Sequence, residues 1–190
     1  MLPWQVLQTR PLCDRPPWLS LWEEDVRLPS GVLITGYLRM TGRDYAMAFA
    51  LTLDGRVPLV CQYKHGVGEP VYDLPAGYLD GPSEPPLAAA QRELREETGL
   101  VAPHWEALGA MPIDTNRGDT RAHPFLARGA RLAGPPALDA SEEIEVSYHS
   151  PGELREMVRR GEIVSLASVA AIMLALDRLD GGRPAPTEEG

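Results

Sequence analysis

The sequence predicts an α/β fold, a mixed set of strands flanked by helices, with the strands concentrated early. Three observations carry this. Segments 32–40 (VLITGYLRM), 45–53 (YAMAFALTL) and 57–63 (VPLVCQY) are rich in strand-forming residues. Residues 83–99 carry the start and stop signals of a helix. The apolar run LASVAAIMLAL at 166–176 is too short to span a bilayer and reads as a buried helix.

In order along the chain, residues 1–42 form an N-terminal strand region, and 43–180 the main domain. Asp54–Gly55 is the hairpin turn between the strands at 45–53 and 57–63. In the helix that follows, Ser83 is the expected N-cap. Pro85 and Pro86 fall in the first turn, where their missing N–H groups had no partner anyway. Leu87, Ala90 and Leu94 form an apolar stripe, and Gly99 follows the last turn in the left-handed position that glycine adopts cheaply. Strand-like segments recur near 105–111, 123–128 and 143–148. Ser150, Pro151 and Glu153 form a capping-box start for a helix to about Arg160, and a last helix covers roughly 165–179. The tail GGRPAPTEEG, 181–190, is expected to be disordered.

Composition narrows the function classes. The chain has 190 residues, enough for a sizeable core within the single-domain range. Its net charge of −9 argues against nonspecific nucleic-acid binding and calls for local cations or metals if small anions are the substrate. Two cysteines, Cys13 and Cys61, make no disulfide framework and suit a reducing cytoplasm. The N-terminus MLPWQVLQTR shows no secretory signal, so no membrane partner is expected. His65 and His123 read as loop residues, since no His/Cys cluster accompanies them.

The stretch QRELREETGL, 91–100, concentrates acids on one helix. Arg92 can pair with Glu96 four residues on, which by itself is an ordinary solvated face. Glu93 and Glu97, however, are like charges at the same spacing and repel. Glu96 and Glu97 also stand in the last turn, where the helix dipole disfavours each by about 0.3–1 kcal/mol. A divalent cation with oxygen ligands is the natural compensator.

Just upstream stands LPAGYLDG, 74–81, and then Glu84, with seven residues separating it from Arg92–Glu93–Leu94–Arg95–Glu96–Glu97–Thr98–Gly99–Leu100. This resembles the box of the Nudix hydrolase family: G, five residues, E, seven residues, REUxEExGU, where U is aliphatic. Here six residues separate Gly77 from Glu84, an insertion of one in the loop 78–83 that puts the role of Glu84 in question. The resemblance implies an α/β/α sandwich with a mixed sheet and Mg²⁺-dependent (or Mn²⁺-dependent) hydrolysis of a nucleoside diphosphate derivative. It further implies Glu93 and Glu97 as principal metal ligands, Glu96 as further ligand or base, and the carbonyl of Ala76 as a contributor. Arg92 would hold the acids in place.

Residues 140–176 resemble the C-terminal half of ADP-ribose and other nucleotide-sugar pyrophosphatases. Glu142 stands where those enzymes carry a loop acid that reaches the metals, while Ala140 stands where some place a base. The base is therefore left open among Glu142, Glu143 and Glu96. The preceding GPPALDA suggests a mobile connection. Lys64 occupies a position where relatives often have a phosphate-binding arginine. Arg117 and Arg121, in the polar stretch 114–123, are candidate substrate contacts. In these relatives the N-terminal region forms extra strands exchanged across a homodimer and stacks on the base. Among Trp4, Trp18 and Trp22, the candidate for that contact is Trp22. Two other readings compete: a Nudix enzyme for nucleoside triphosphates or dinucleotides, and a ligand sensor without turnover. The intact acid set argues against the sensor.

Overall fold

The computed structural model describes residues 1–81 and 83–181, so the expected disorder at 182–190 lies outside the described residues. The chain divides into two compact units, Met1–Asp44 with Met111–Arg121, and Tyr45–Ala110 with Ala122–Gly190.

The first unit is an antiparallel meander of β1 (Gln5–Arg15), β2 (Leu19–Arg27) and β3 (Leu33–Thr41). Arg10 of β1 ties it across to β2, donating to Glu23 at 2.7 Å and to Asp25 at 2.7 Å. Those bonds, from Arg10 first and then from the Gly36 N–H, hold the Asp25 carboxyl down at about 2. Within this unit the loop at 114–120 lies along β3, where the Met40 N–H donates to the Arg117 carbonyl at 2.8 Å.

The second unit holds β4 (Tyr45–Thr52), β5 (Val57–Lys64), β6 (Glu69–Asp73), β7 (Ala76–Tyr78), α1 (Pro86–Thr98), β8 (Leu100–Val101) and β9 (His104–Ala107). After the short β10 (Met111–Pro112) of the first unit come β11 (Arg121–Leu132), β12 (Ile144–His149), α2 (Pro151–Arg159) and α3 (Leu166–Leu179). β4 runs parallel to β11 and antiparallel to β7, while β9 pairs antiparallel with the other edge of β11. β12, β5 and β6 form a separate antiparallel sheet in that order. The mixed sheet and flanking helices are those of the predicted α/β class.

β4 explains the layering. Successive side chains of a strand point to opposite faces. In YAMAFALT the large residues Met47 and Phe49 pack on one side with Leu154 of α2 and Ile172 and Leu176 of α3. The alanines Ala46, Ala48 and Ala50 face the other way, among Ala90, Leu94 and Phe125. Small residues on that face let α1 lie close to the sheet.

Several boundaries differ from the sequence reading. α1 starts at Pro86 with Pro85 as an extended N-cap, so Ser83 does not cap it. Leu87 is exposed, and the buried face runs through Ala89, Ala90 and Leu94. The segment near 105–111 breaks into two short strands, with Gly109 at φ 120° between them. His123 lies within β11 rather than in a loop. The capping box of α2 is formed: Glu153 N–H donates to Ser150 Oγ, and Ser150 N–H to the Glu153 carboxylate. Among the described residues no helix is long and apolar enough to cross a membrane.

One buried hydroxyl fixes the entry to β7. Ser168 of α3, fully buried, accepts the Leu74 N–H at 3.1 Å and donates to Asp73 at 2.8 Å. Ser168→Ala strands that N–H, and we expect a loss of about 1–3 kcal/mol in denaturant unfolding, the cost of an unsatisfied buried group. An unchanged midpoint would mean that β7 is held by other contacts.

Candidate active site

The site is built where β7 crosses the last turns of α1. Glu93 and Glu97 fall on the buried face of the helix, 8% and 5% exposed. Gly77 is what lets the strand pass: a Cβ there would sit 2.0 Å from Glu93 Oε1. One residue earlier, the Ala76 N–H donates to the Glu97 carboxylate at 2.9 Å.

Arg92 gathers the remaining acids. Its guanidinium bonds Glu84 at 3.1 Å, Glu93 at 2.5 Å and Glu96 at 3.1 Å, and donates to the Tyr78 carbonyl at 3.0 Å. Burial pulls the arginine pKa down, but the hydrogen bonds of Glu84, Glu93 and Glu96 outweigh it and leave it raised. Glu84, whose role the inserted residue left open, is thus drawn into the cluster. In the loop before the helix, Gly81 takes φ 93° and the Asp80 N–H donates to the Glu84 carboxylate.

The two buried acids are not equally compensated. Burial raises Glu93, while Arg92 pulls it back and Glu96 and Glu142 push it up. Among the described residues, Glu97 has no bonded cation. Burial first, then the charges of Glu93 and Glu142, push its carboxyl up to about 8 against the weaker pull of the Ala76 N–H and Lys64. An acid held protonated by burial and by neighbouring carboxylates is a place where a cation would be stabilising.

The donors suit Mg²⁺. Among the described residues no three acidic, histidine or cysteine side chains form a ready-made metal cage. Mg²⁺ does not require one, since it keeps several waters and takes one or two carboxylates plus substrate phosphates. Glu93, Glu97 and the more exposed Glu96 could hold it so, with the carbonyl of Ala76 at hand beside Glu97.

Concave regions adjoin the acids. One cavity, of about 650 Å³, is lined by Arg92, Glu96, Gly99, Pro135 and Ala137. A cleft of about 310 Å³ is lined by Lys64, Tyr45, Asp73, Ala76, Gly77, Tyr78 and Ser165. Lys64 Nζ is held by Gln62 at 2.7 Å. The Tyr45 hydroxyl, pushed up to about 12 by burial and then by the charges of Asp73 and Tyr78, stays a neutral donor at physiological pH. Tyr45, Asp73, Tyr78 and Ser165 escaped the sequence reading, because four separate elements bring them together. A groove of about 750 Å³ runs between Cys61, Gln62, Tyr63 and Glu142, Glu143 and Glu145.

The structure therefore brings Lys64, Ala76, Arg92, Glu93, Glu96 and Glu97 into one neighbourhood, with Glu142 acting on the buried pair through its charge. Trp22, Arg117 and Arg121 belong to the first unit. There Trp22 pairs in register with Pro11 and Arg39, Arg117 approaches Asp114 at 3.4 Å, and the Arg121 N–H donates to Asp44 at 2.8 Å.

Comparisons with known proteins identify the family of this chain. The model of the NUDIX domain matches residues 42–167. The chain belongs to the Nudix family. An ADP-ribose pyrophosphatase of Mycobacterium tuberculosis is 35% identical over 178 residues, covering 89% of this chain and 83% of that protein. An ADP-ribose pyrophosphatase of Bacillus subtilis is 29% identical over 156 residues, covering 81% and 83%. The crystal structure of an ADP compounds hydrolase superposes with a TM-score of 0.82 at 20% identity, over 95% of this chain and 96% of that one. This likeness shows that the fold is of the Nudix type.

The raised Glu97 makes a pH prediction for the metal-free Nudix protein. Its folded value of about 8 lies above the ordinary 4.5, so the folded state binds this proton more tightly than the unfolded one. The resulting stability is complete below about pH 4.5 and is lost as the pH rises through about 8. In EDTA the melting temperature should fall across that window, in Glu97→Gln it should not, and millimolar Mg²⁺ should flatten the fall. A flat wild-type curve in EDTA would show that Glu97 ionises without a cation.

Proposed function

We propose that the chain hydrolyses the pyrophosphate bond of a nucleoside diphosphate derivative, with ADP-ribose the leading substrate, using Mg²⁺ or Mn²⁺. The observation that carries this is the buried pair Glu93 and Glu97, one of them without a bonded cation among the described residues, set against the backbone of β7. The substrate follows the relatives named ADP-ribose pyrophosphatase. When bound, the ion supplies charge neutralisation on the phosphates and an activated water.

The chain's own groups then divide the work. Glu93, Glu97 and Glu96, with the Ala76 carbonyl, would hold the ion, and Arg92 fixes the spacing of Glu93 and Glu96. Lys64 meets a phosphate as a point charge, without an arginine's bidentate fork. Glu142 takes the proton of the attacking water, as general base. Arg117, Arg121 and Trp22 serve the nucleoside end. We further propose a homodimer in which the region 1–42 is exchanged; Trp4, Val6, Leu7, Leu12 and Leu33 expose apolar surface along β1 and β3. The free thiols Cys13 and Cys61 suit a cytoplasmic setting.

The test is a panel of ADP-ribose, other nucleotide sugars, dinucleotides and nucleoside triphosphates with Mg²⁺, products identified by mass. ADP-ribose should give AMP and ribose 5-phosphate. Glu97→Gln should lose turnover by orders of magnitude while staying folded. Glu142→Gln should lower kcat by about 10²–10⁴-fold, the range for a lost general base, and Glu143→Gln less. Preferred turnover of a triphosphate or dinucleotide would move the specificity, and binding without any turnover would leave a sensor.

A further inference from the structure

The segment 133–143 that carries Glu142 leaves β11 beside the end of α1. There Leu132 pairs with Leu100 and Arg131 with Val101. Its first half is then tied to the helix end at two backbone points. The Ala133 N–H donates to the Gly99 carbonyl at 2.9 Å, and the Ala137 N–H to the Glu96 carbonyl at 2.8 Å. The Glu96 carbonyl is one of the four that a helix C-terminus leaves without an intrahelical partner. Gly99 permits the approach: a Cβ there would meet the Gly134 carbonyl oxygen at 2.1 Å. Between the two anchors stand Pro135 and Pro136, whose rings fix φ near −65°.

The expected mobile connection is thus a strut for its first half. From Ala137 only the four residues 138–141 precede Glu142, against nine if the segment were free from Leu132 onward. Beyond the anchor the chain turns on itself. The Glu142 N–H donates to the Asp139 carbonyl at 2.9 Å, and the Asp139 N–H donates to the Glu142 carboxylate at 3.0 Å.

We propose that Ala133, the Pro135–Pro136 pair and Ala137, seated on the Gly99 and Glu96 carbonyls, form a positioning device that sets the reach of Glu142 and affects turnover only through it. The inference rests on the proposed role of Glu142. The strut residues touch no reacting atom. They register the acid loop directly to the backbone of Glu96, so that loop and acid helix keep one spacing. Misplacing a catalytic group by about 1 Å can cost about 10²-fold in rate.

Two variants separate the parts of the device. Pro135→Gly with Pro136→Gly keeps both backbone donors and removes the stiffness. Ala137→Pro removes the donor to Glu96 and keeps the chain stiff. All three positions are exposed, so folding should survive, which thermal unfolding checks. Each variant is measured on ADP-ribose with saturating Mg²⁺, alone and combined with Glu142→Gln. Alone, each should lower kcat by about 10- to 100-fold, with KM nearly unchanged. In the Glu142→Gln background neither should lower it further, the non-additivity of groups acting as one unit. Equal losses in both backgrounds, or no loss in either, overturn the strut while leaving Glu142 in place. A neutral Glu142→Gln removes Glu142 from the mechanism and the strut with it.

Discussion

The close passage of β7 across the last turns of α1 is the constraint on which the rest of the site depends. It requires a residue without a Cβ at Gly77, because Glu93 Oε1 occupies the place a Cβ would take. It also requires β4, which pairs with β7, to face α1 with alanines only. The passage buries two carboxylates, and one of them, Glu97, stands in the last turn, the part of a helix least hospitable to negative charge. The fold thereby keeps a local instability that a structure shaped for stability alone would have removed, and such conflicts between local preference and fold concentrate at functional sites.

Arg92 decides how that instability is distributed. It satisfies Glu84, Glu93 and Glu96 together and reaches back to the Tyr78 carbonyl, so it braces the loop after β7 against the helix. Among the described residues, Glu97 is left to a single backbone N–H, that of Ala76. The arginine holds the Tyr78 carbonyl before the loop and Glu84 after it, so Glu84 stays in the cluster although the loop before α1 is one residue longer.

Much of this was legible in local signals. The stop at Gly99, the capping box at Ser150 and the hairpin at Gly55 are short-range devices, and each forms where the residues place it. The conflict of Glu93 with Glu97 at the helix end was also readable, since it needs only the helical repeat. What was not legible depends on partners far along the chain. Ser83 has the chemistry of an N-cap, but the helix begins later, behind the turn that delivers Glu84 to Arg92. Leu87 fits an apolar stripe by spacing, yet it is exposed and Ala89 takes the buried place. Tyr45, Asp73 and Ser165 come from separate elements, and only the tertiary fold assembles their cleft. GPPALDA reads as a loose connection until the carbonyls of Glu96 and Gly99 are seen to hold it.

The central claim is that the buried acid pair is completed by a divalent cation, and that Glu97 holds a proton until that cation arrives. Calorimetric titration of the substrate-free protein with Mg²⁺ near pH 7, in buffers of different ionisation enthalpy, measures binding and proton release together. Because the Glu97 carboxyl sits at about 8, binding should release roughly one proton, as expected where ligands must deprotonate to coordinate. In Glu97→Gln that release should vanish and the affinity should drop. Mg²⁺ binding with no proton released, or with the same release from Glu97→Gln, would contradict the account.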